Sequence, residues 1–122
     1  MTAQQLQRNY EVKKEVDKLY KQLEELERKA KTQAEYPTPY SKNYTKRIEK
    51  LTAEYYDKFI IWLDNTIEIE KEICKIPDCL IRIILSMRYT WGCSWRDIAR
   101  TARSSEKAVK MRCVRYLKTL EV

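Results

Sequence analysis

A chain of 122 residues with 25 lysines and arginines against 18 acidic residues, a formal charge of +7, one glycine and no histidine excludes several classes at once. One compact domain with an appended element is the expected scale, and one Gly with three Pro cannot punctuate a sandwich or barrel of many short strands. Without imidazole there is no side chain that titrates near neutrality to build a catalytic dyad on. A Gly-rich phosphate loop is equally out of reach. The reading is an all-α protein that is not an enzyme.

The N-terminus, residues 1–8, is polar, and the longest apolar run, Phe59 to Leu63, is far shorter than the roughly 20 residues of a membrane span. The expected location is therefore the cytoplasm, with no membrane partner. Cys74, Cys79, Cys93 and Cys113 contain no CxxC pair and have no histidine to complete a metal tetrahedron. They read as reduced, small buried apolar residues, so no metal and no cofactor is expected.

From Gln4 to about Gln33 the residues Val12, Val16, Leu19, Leu23, Leu26 and Ala30 step by 4, 3, 4, 3 and 4, the a/d seam of a coiled-coil helix. Pro37 and Pro39, among Thr, Ser and Asn, interrupt it. A second helix is predicted from near Ser41 to about Lys75, with Ile48, Leu51, Tyr55, Tyr56, Phe59, Trp62, Leu63, Ile67 and Ile73 as its apolar set. Two long helices with narrow seams and a short connection should form an antiparallel hairpin or associate between subunits. Residues 1–75 are thus expected to be a dimerisation or partner-docking arm, with a homodimer through residues 4–75.

Pro77 and Asp78 suit the start of a third helix, which is predicted to continue through Leu80, Ile81, Ile84 and Leu85 to about Tyr89. Gly92 fits a left-handed position past its end, and Ser94 fits an N-cap. A short helix, Trp95 to Ala102, carries Trp95, Ile98, Ala99 and Ala102 on one face. After Arg103 and Ser104, Ser105 caps a helix ending near Leu120, with Val109, Cys113, Tyr116, Leu117 and Leu120 inward. Trp91 and Trp95 read as core and turn packing.

The charge is uneven along this pattern. Residues 1–75 carry 15 basic and 14 acidic residues, whereas residues 76–122 carry ten basic and four acidic, a net of +6. A basic segment of this kind suits a polyanion, nucleic acid in the first place. A short helix, a turn and a basic-faced helix have the outline of a helix-turn-helix, whose second helix enters the major groove of DNA.

The segments Ile-Pro-Asp-Cys-Leu-Ile-Arg-Ile-Ile-Leu-Ser-Met-Arg-Tyr, Ser-Trp-Arg-Asp-Ile-Ala and Ser-Ser-Glu-Lys-Ala-Val-Lys-Met-Arg resemble the region 4 helix-turn-helix of sigma-70-type factors. The resemblance is greatest to small phage-encoded regulators of Gram-positive bacteria, the RinA and ArpU type of late-gene activators. It covers residues 76 to 120, and residues 1 to 75 only in architecture. It implies a sigma region 4-like helix-turn-helix domain over residues 76–122, double-stranded promoter DNA as ligand, and transcription of phage or prophage genes as the process. Arg103 stands where many such turns carry Gly, and Ser104 where an apolar residue is usual. The sigma regions that melt promoters and bind the polymerase clamp have no counterpart in this chain.

Carried onto this sequence, Lys107, Lys110, Met111 and Arg112 are candidates for base-edge contact, and Arg96, Arg100, Arg103, Arg115 and Lys118 for phosphate contact. Two further functions stay open: a phage DNA-packaging subunit of the small-terminase kind, in which the reader usually precedes the hairpin, and a sigma-like adaptor that touches RNA polymerase rather than DNA.

Overall fold

The computed structural model describes residues 1–39 and 42–121, and among these it is all-helical. Helix α1 spans Ala3–Glu35, α2 Thr45–Ile73, α3 Cys79–Leu85, α4 Trp95–Ala102 and α5 Glu106–Thr119, and a π-turn, Ser86–Thr90, continues α3. No helix among the described residues is long and apolar enough to cross a membrane.

Capping chemistry explains most of the boundaries. Thr2 and Gln5 form a capping box at the start of α1, each side chain accepting from the other's backbone N–H. Asp78 accepts from Leu80 and Ile81 at the start of α3. Ser94 accepts from Asp97 at α4, and Ser105 from Ala108 at α5, each satisfying a donor that the first turn leaves free. Helix α4 ends on Arg103 at φ 53° and ψ 47°, with Ser104 N–H donating to the Ala99 carbonyl at 3.0 Å. This is a Schellman-type stop with arginine, not glycine, in the left-handed position. Gly92 is also left-handed, at φ 67°, and a Cβ there would lie 3.2 Å from Cγ of Lys13, so both the conformation and the space favour glycine.

Helices α1 and α2 lie antiparallel along one another. Their contacts run Asn9 to Thr66, Glu15 to Lys58 at 3.0 Å, and Tyr20 to Tyr55 with ring centroids 6.0 Å apart. Val12, Val16 and Trp62 are buried between them, with Tyr55 and Phe59 packed alongside. The α1 seam falls where its spacing predicts, with Val12, Val16, Leu23 and Leu26 buried.

The second helix departs from expectation in two ways. It begins at Thr45; the predicted start, Ser41, lies outside the described residues. Its buried set is Trp62, Thr66, Ile69 and Ile73, while Tyr56, Leu63 and Ile67 face outward. Apolar residues cover more than half of this helix's circumference, so spacing alone does not say which stripe meets α1.

A second cluster joins the two ends of the chain. Leu6 of α1 and Ile69 and Ile73 of α2 are buried together with Ile76, Ile81, Ile84, Leu85, Tyr89, Ile98, Ala99, Val109 and Cys113. The core beneath α3, α4 and α5 is therefore shared with the first 75 residues. The cysteines are not uniformly buried as expected: only Cys113 is buried, whereas Cys74 and Cys79 are exposed and Cys93 is intermediate.

The third helix was expected to run unbroken to about Tyr89. It widens instead at Ser86 into a π-turn, and Trp91 N–H closes it by donating to the Ser86 carbonyl at 3.2 Å. The carbonyls of Tyr89 and Thr90 at its end find donors on other helices. Asn9 Nδ2, on a fully buried side chain, donates to Tyr89 O at 2.9 Å, and Trp62 Nε1 donates to Thr90 O at 3.0 Å. Ser86 and Thr90 hydroxyls both donate to Oε1 of Glu70 at 2.6 Å.

This packing is open to test at Trp62, at the Tyr89–Cys113 pair and at the cysteines. Trp62→Phe keeps a ring but strands the Thr90 carbonyl, and urea unfolding should report a loss of about 1–3 kcal/mol; unchanged stability would remove Trp62 Nε1 from the account. Burial, with the Tyr89–Cys113 hydrogen bond at 3.6 Å, pushes the Tyr89 phenol up, and burial pushes the Cys113 thiol up. Groups that hold their protons more tightly when folded stabilise the fold below their ordinary values, here 9.0 for the thiol and 10.0 for the phenol, and that contribution is lost as pH rises past them. Stability should therefore fall above about pH 9. At pH 8 an alkylating reagent should label Cys74 and Cys79 quickly and Cys113 only on unfolding.

Candidate nucleic-acid interface

Helices α4 and α5 and the Arg103 turn between them carry the predicted contact residues, and all nine are exposed. Arg96 and Arg100 lie one turn apart on α4, Arg103 occupies the turn, and Lys107, Lys110, Met111, Arg112, Arg115 and Lys118 lie along α5. The buried stripe of α5 is Val109 and Cys113, with Tyr116, Leu117 and Leu120 half-buried, which leaves the opposite side of the helix facing solvent.

At 100° per residue, that opposite side is the row Lys107, Met111, Val114 and Lys118, stepping by 4, 3 and 4, with Arg115 beside it. Met111 is 44% exposed and Val114 51%, an apolar pair bracketed by lysines. Val114 was not among the predicted residues; its signal was the helical step from Lys107 and Met111. Lys110 flanks this row on one side.

Arg112 lies on the other flank, where its Nη2 is 3.4 Å from Oδ2 of Asp78 at the start of α3. Among the described residues it is the only one of these cations in an ion pair. On α1 and α2 several cations do pair: Lys13 with Asp17, Lys29 with Glu25, Lys58 with Glu15 and Lys71 with Glu68. Among the described residues the other seven exposed cations of this surface have no carboxylate within salt-bridge distance, and they repel one another, a cost that a polyanion relieves.

The turn that introduces α4 is held from two sides. Lys14 Nζ donates to the Gly92 carbonyl at 2.8 Å, and Arg88 Nη1 donates to the Cys93 carbonyl at 3.1 Å. The Arg88 guanidinium lies over the rings of both Tyr10 and Trp95, 4.3 and 4.6 Å from their centroids, within cation–π distance of each. Trp95 thus packs at the turn as expected. Trp91, expected to pack in the same way, is instead 56% exposed, and it meets Trp62 edge-on at 5.8 Å. Lys14, Tyr10 and Arg88 escape sequence reasoning, because Lys14 meets Gly92 across 78 positions of chain and its own helical neighbourhood gives no sign of it.

Among the described residues no group of three or more His, Cys, Asp or Glu side chains could hold a metal ion. No family model matches the chain, and no curated protein or solved structure is significantly similar to it.

Proposed function

We propose that the protein is a sequence-specific, double-stranded DNA-binding transcriptional regulator, and not an enzyme, with α4, the Arg103 turn and α5 acting as a helix-turn-helix. The observation that carries this reading is the row Lys107, Met111, Val114 and Lys118 on the solvent side of α5, surrounded by exposed, unpaired cations from α4 and α5. Such a surface offers the two kinds of contact that DNA reading needs. Lys107 and Lys110 reach acceptors on guanine, and Met111 and Val114 meet thymine methyls in the major groove. Arg96, Arg100, Arg103, Arg115 and Lys118 hold the phosphates and set the register. Arg112, tied to Asp78, steadies α5 against α3 and lies towards a flanking phosphate. The resemblance of residues 76–120 to sigma region 4 supports the same reading and makes phage or prophage transcription the process.

The test is binding of the full chain to duplexes selected from a random double-stranded pool, followed by fluorescence anisotropy from about 50 to 200 mM salt. Neutralising five to seven phosphates gives a slope of log K against log salt of roughly −4 to −6. Lys107→Ala with Lys110→Ala should flatten the preference for the selected site, each lost base contact being worth about 1–3 kcal/mol. Binding with no salt dependence, or no selected sequence, would overturn the reading. Capture of RNA polymerase without DNA affinity would replace it with the adaptor.

A further inference from the structure

Helix α2 carries an apolar stripe that the fold does not use. Ala53, Tyr56, Ile60, Leu63 and Ile67 step by 3, 4, 3 and 4, and all five are exposed, Tyr56 at 57%, Ile60 at 54%, Leu63 at 39% and Ile67 at 47%. At 100° per residue this stripe stands more than a quarter-turn from the Trp62, Thr66, Ile69 and Ile73 face that packs on α1 and the shared core. Ring contacts extend it: Tyr56 meets Tyr55 edge-on at 5.5 Å, and Tyr55 meets Tyr20 of α1, itself 51% exposed.

We propose that this stripe is the interface of a two-fold homodimer in which α2 packs against α2 of a second copy. A heptad step on an exposed face is the pattern another helix fits, and this helix supplies the matching pattern itself, as an isologous interface requires. Tyr56, Ile60, Leu63 and Ile67 expose roughly 400 Å² per copy, within the range of a monomer's largest apolar patch. Self-pairing buries about twice that, and the side chains along both edges of the stripe bring the total towards the roughly 1,200 Å² at which specific interfaces begin.

Charge selects the orientation. Lys50, Asp57, Asp64 and Lys71 line one edge of the stripe, and Thr52, Phe59 and Thr66 line the other. An antiparallel pair that stacks Ile60 on Leu63 sets Asp57 beside the partner's Asp64 and Lys50 beside the partner's Lys71, each like-charge pair twice over, whereas a parallel pair sets the charged edge against the uncharged one. Parallel pairing also brings both α4–α5 units to the same end of the dimer, facing one duplex. The pairing does not depend on DNA binding and is tested without DNA.

Sedimentation of the full chain from about 1 to 100 μM tests it. The expected result is twice the 14.8 kDa chain mass at the upper end. Ile60→Glu with Leu63→Glu, on surface positions, should retain helicity by circular dichroism and weaken association by about 100-fold or more, since four carboxylates would be buried in the seam. Should that variant lose helicity, Ile67→Lys makes the same test. A monomer at 100 μM, or a folded variant that still dimerises as the parent does, overturns the interface. With Cys74 and Cys79 replaced by Ser, Ile67→Cys should cross-link to itself under oxidation; a dimer that does not cross-link there overturns the parallel orientation.

Discussion

The structure depends on how two backbone carbonyls are satisfied. The helix ends at Thr90, which leaves the carbonyls of Tyr89 and Thr90 inside the protein without helical partners, and an unpaired buried carbonyl costs free energy comparable to a lost hydrogen bond. Asn9 from α1 and Trp62 from α2 donate to them, and Glu70 ties the hydroxyls of Ser86 and Thr90 to α2. Separating the long helices from α3 would strand both carbonyls and expose Leu6, Ile69 and Ile73 as well. The long helices are therefore part of the foundation on which α4 and α5 stand.

That foundation fixes the candidate surface in two steps. The π-turn sets where the chain emerges at Trp91, and the next three residues are held by Lys14 on Gly92 and by Arg88 on Cys93. Ser94 then caps α4, Arg103 stops it, and Ser105 starts α5. Each of these contacts is polar and directional, so the angle of α5 to the shared core follows from hydrogen-bond geometry as well as from packing. Burial of Val109 and Cys113 on that core turns Lys107, Met111, Val114 and Lys118 outward. The difference in charge lies in the carboxylates at hand: several cations of the long helices, Lys13, Lys29, Lys58 and Lys71 among them, meet carboxylates on the same helix or across the α1–α2 seam, whereas among the described residues Arg112 alone of the α4 and α5 cations does so.

Much of this was legible in the sequence where a single residue type has one good use. Ser94 and Ser105 are effective caps, Gly92 is the one residue free to take a positive φ without cost, and the α1 seam has apolar residues on one face only. The caps, the glycine turn and the spans of α1, α4 and α5 accordingly lie within a residue or two of expectation. Periodicity failed on α2, where Tyr56, Leu63 and Ile67 fit a helical step as well as Thr66 and Ile69 do, and only the partner surface decides between them. The π-turn left no local mark, since Ser86 to Thr90 contains no Gly or Pro. Asn9 looks like any polar residue on a charged helix until its partner, 80 positions away, is known. At the candidate interface, composition and capping pointed to α4 and α5, but the flank on which Arg112 lies required the position of Asp78.

The central claim is that the open cationic side of α4 and α5 is what the protein presents to DNA. Amide-resolved NMR of the full chain during titration with a selected duplex tests it most directly. The account predicts shift changes concentrated on Trp95 to Lys118 and on the Gly92 turn with Lys14, leaving the mid-region of α1 and α2 unmoved. Changes centred on the long helices, with α5 unaffected, would contradict it.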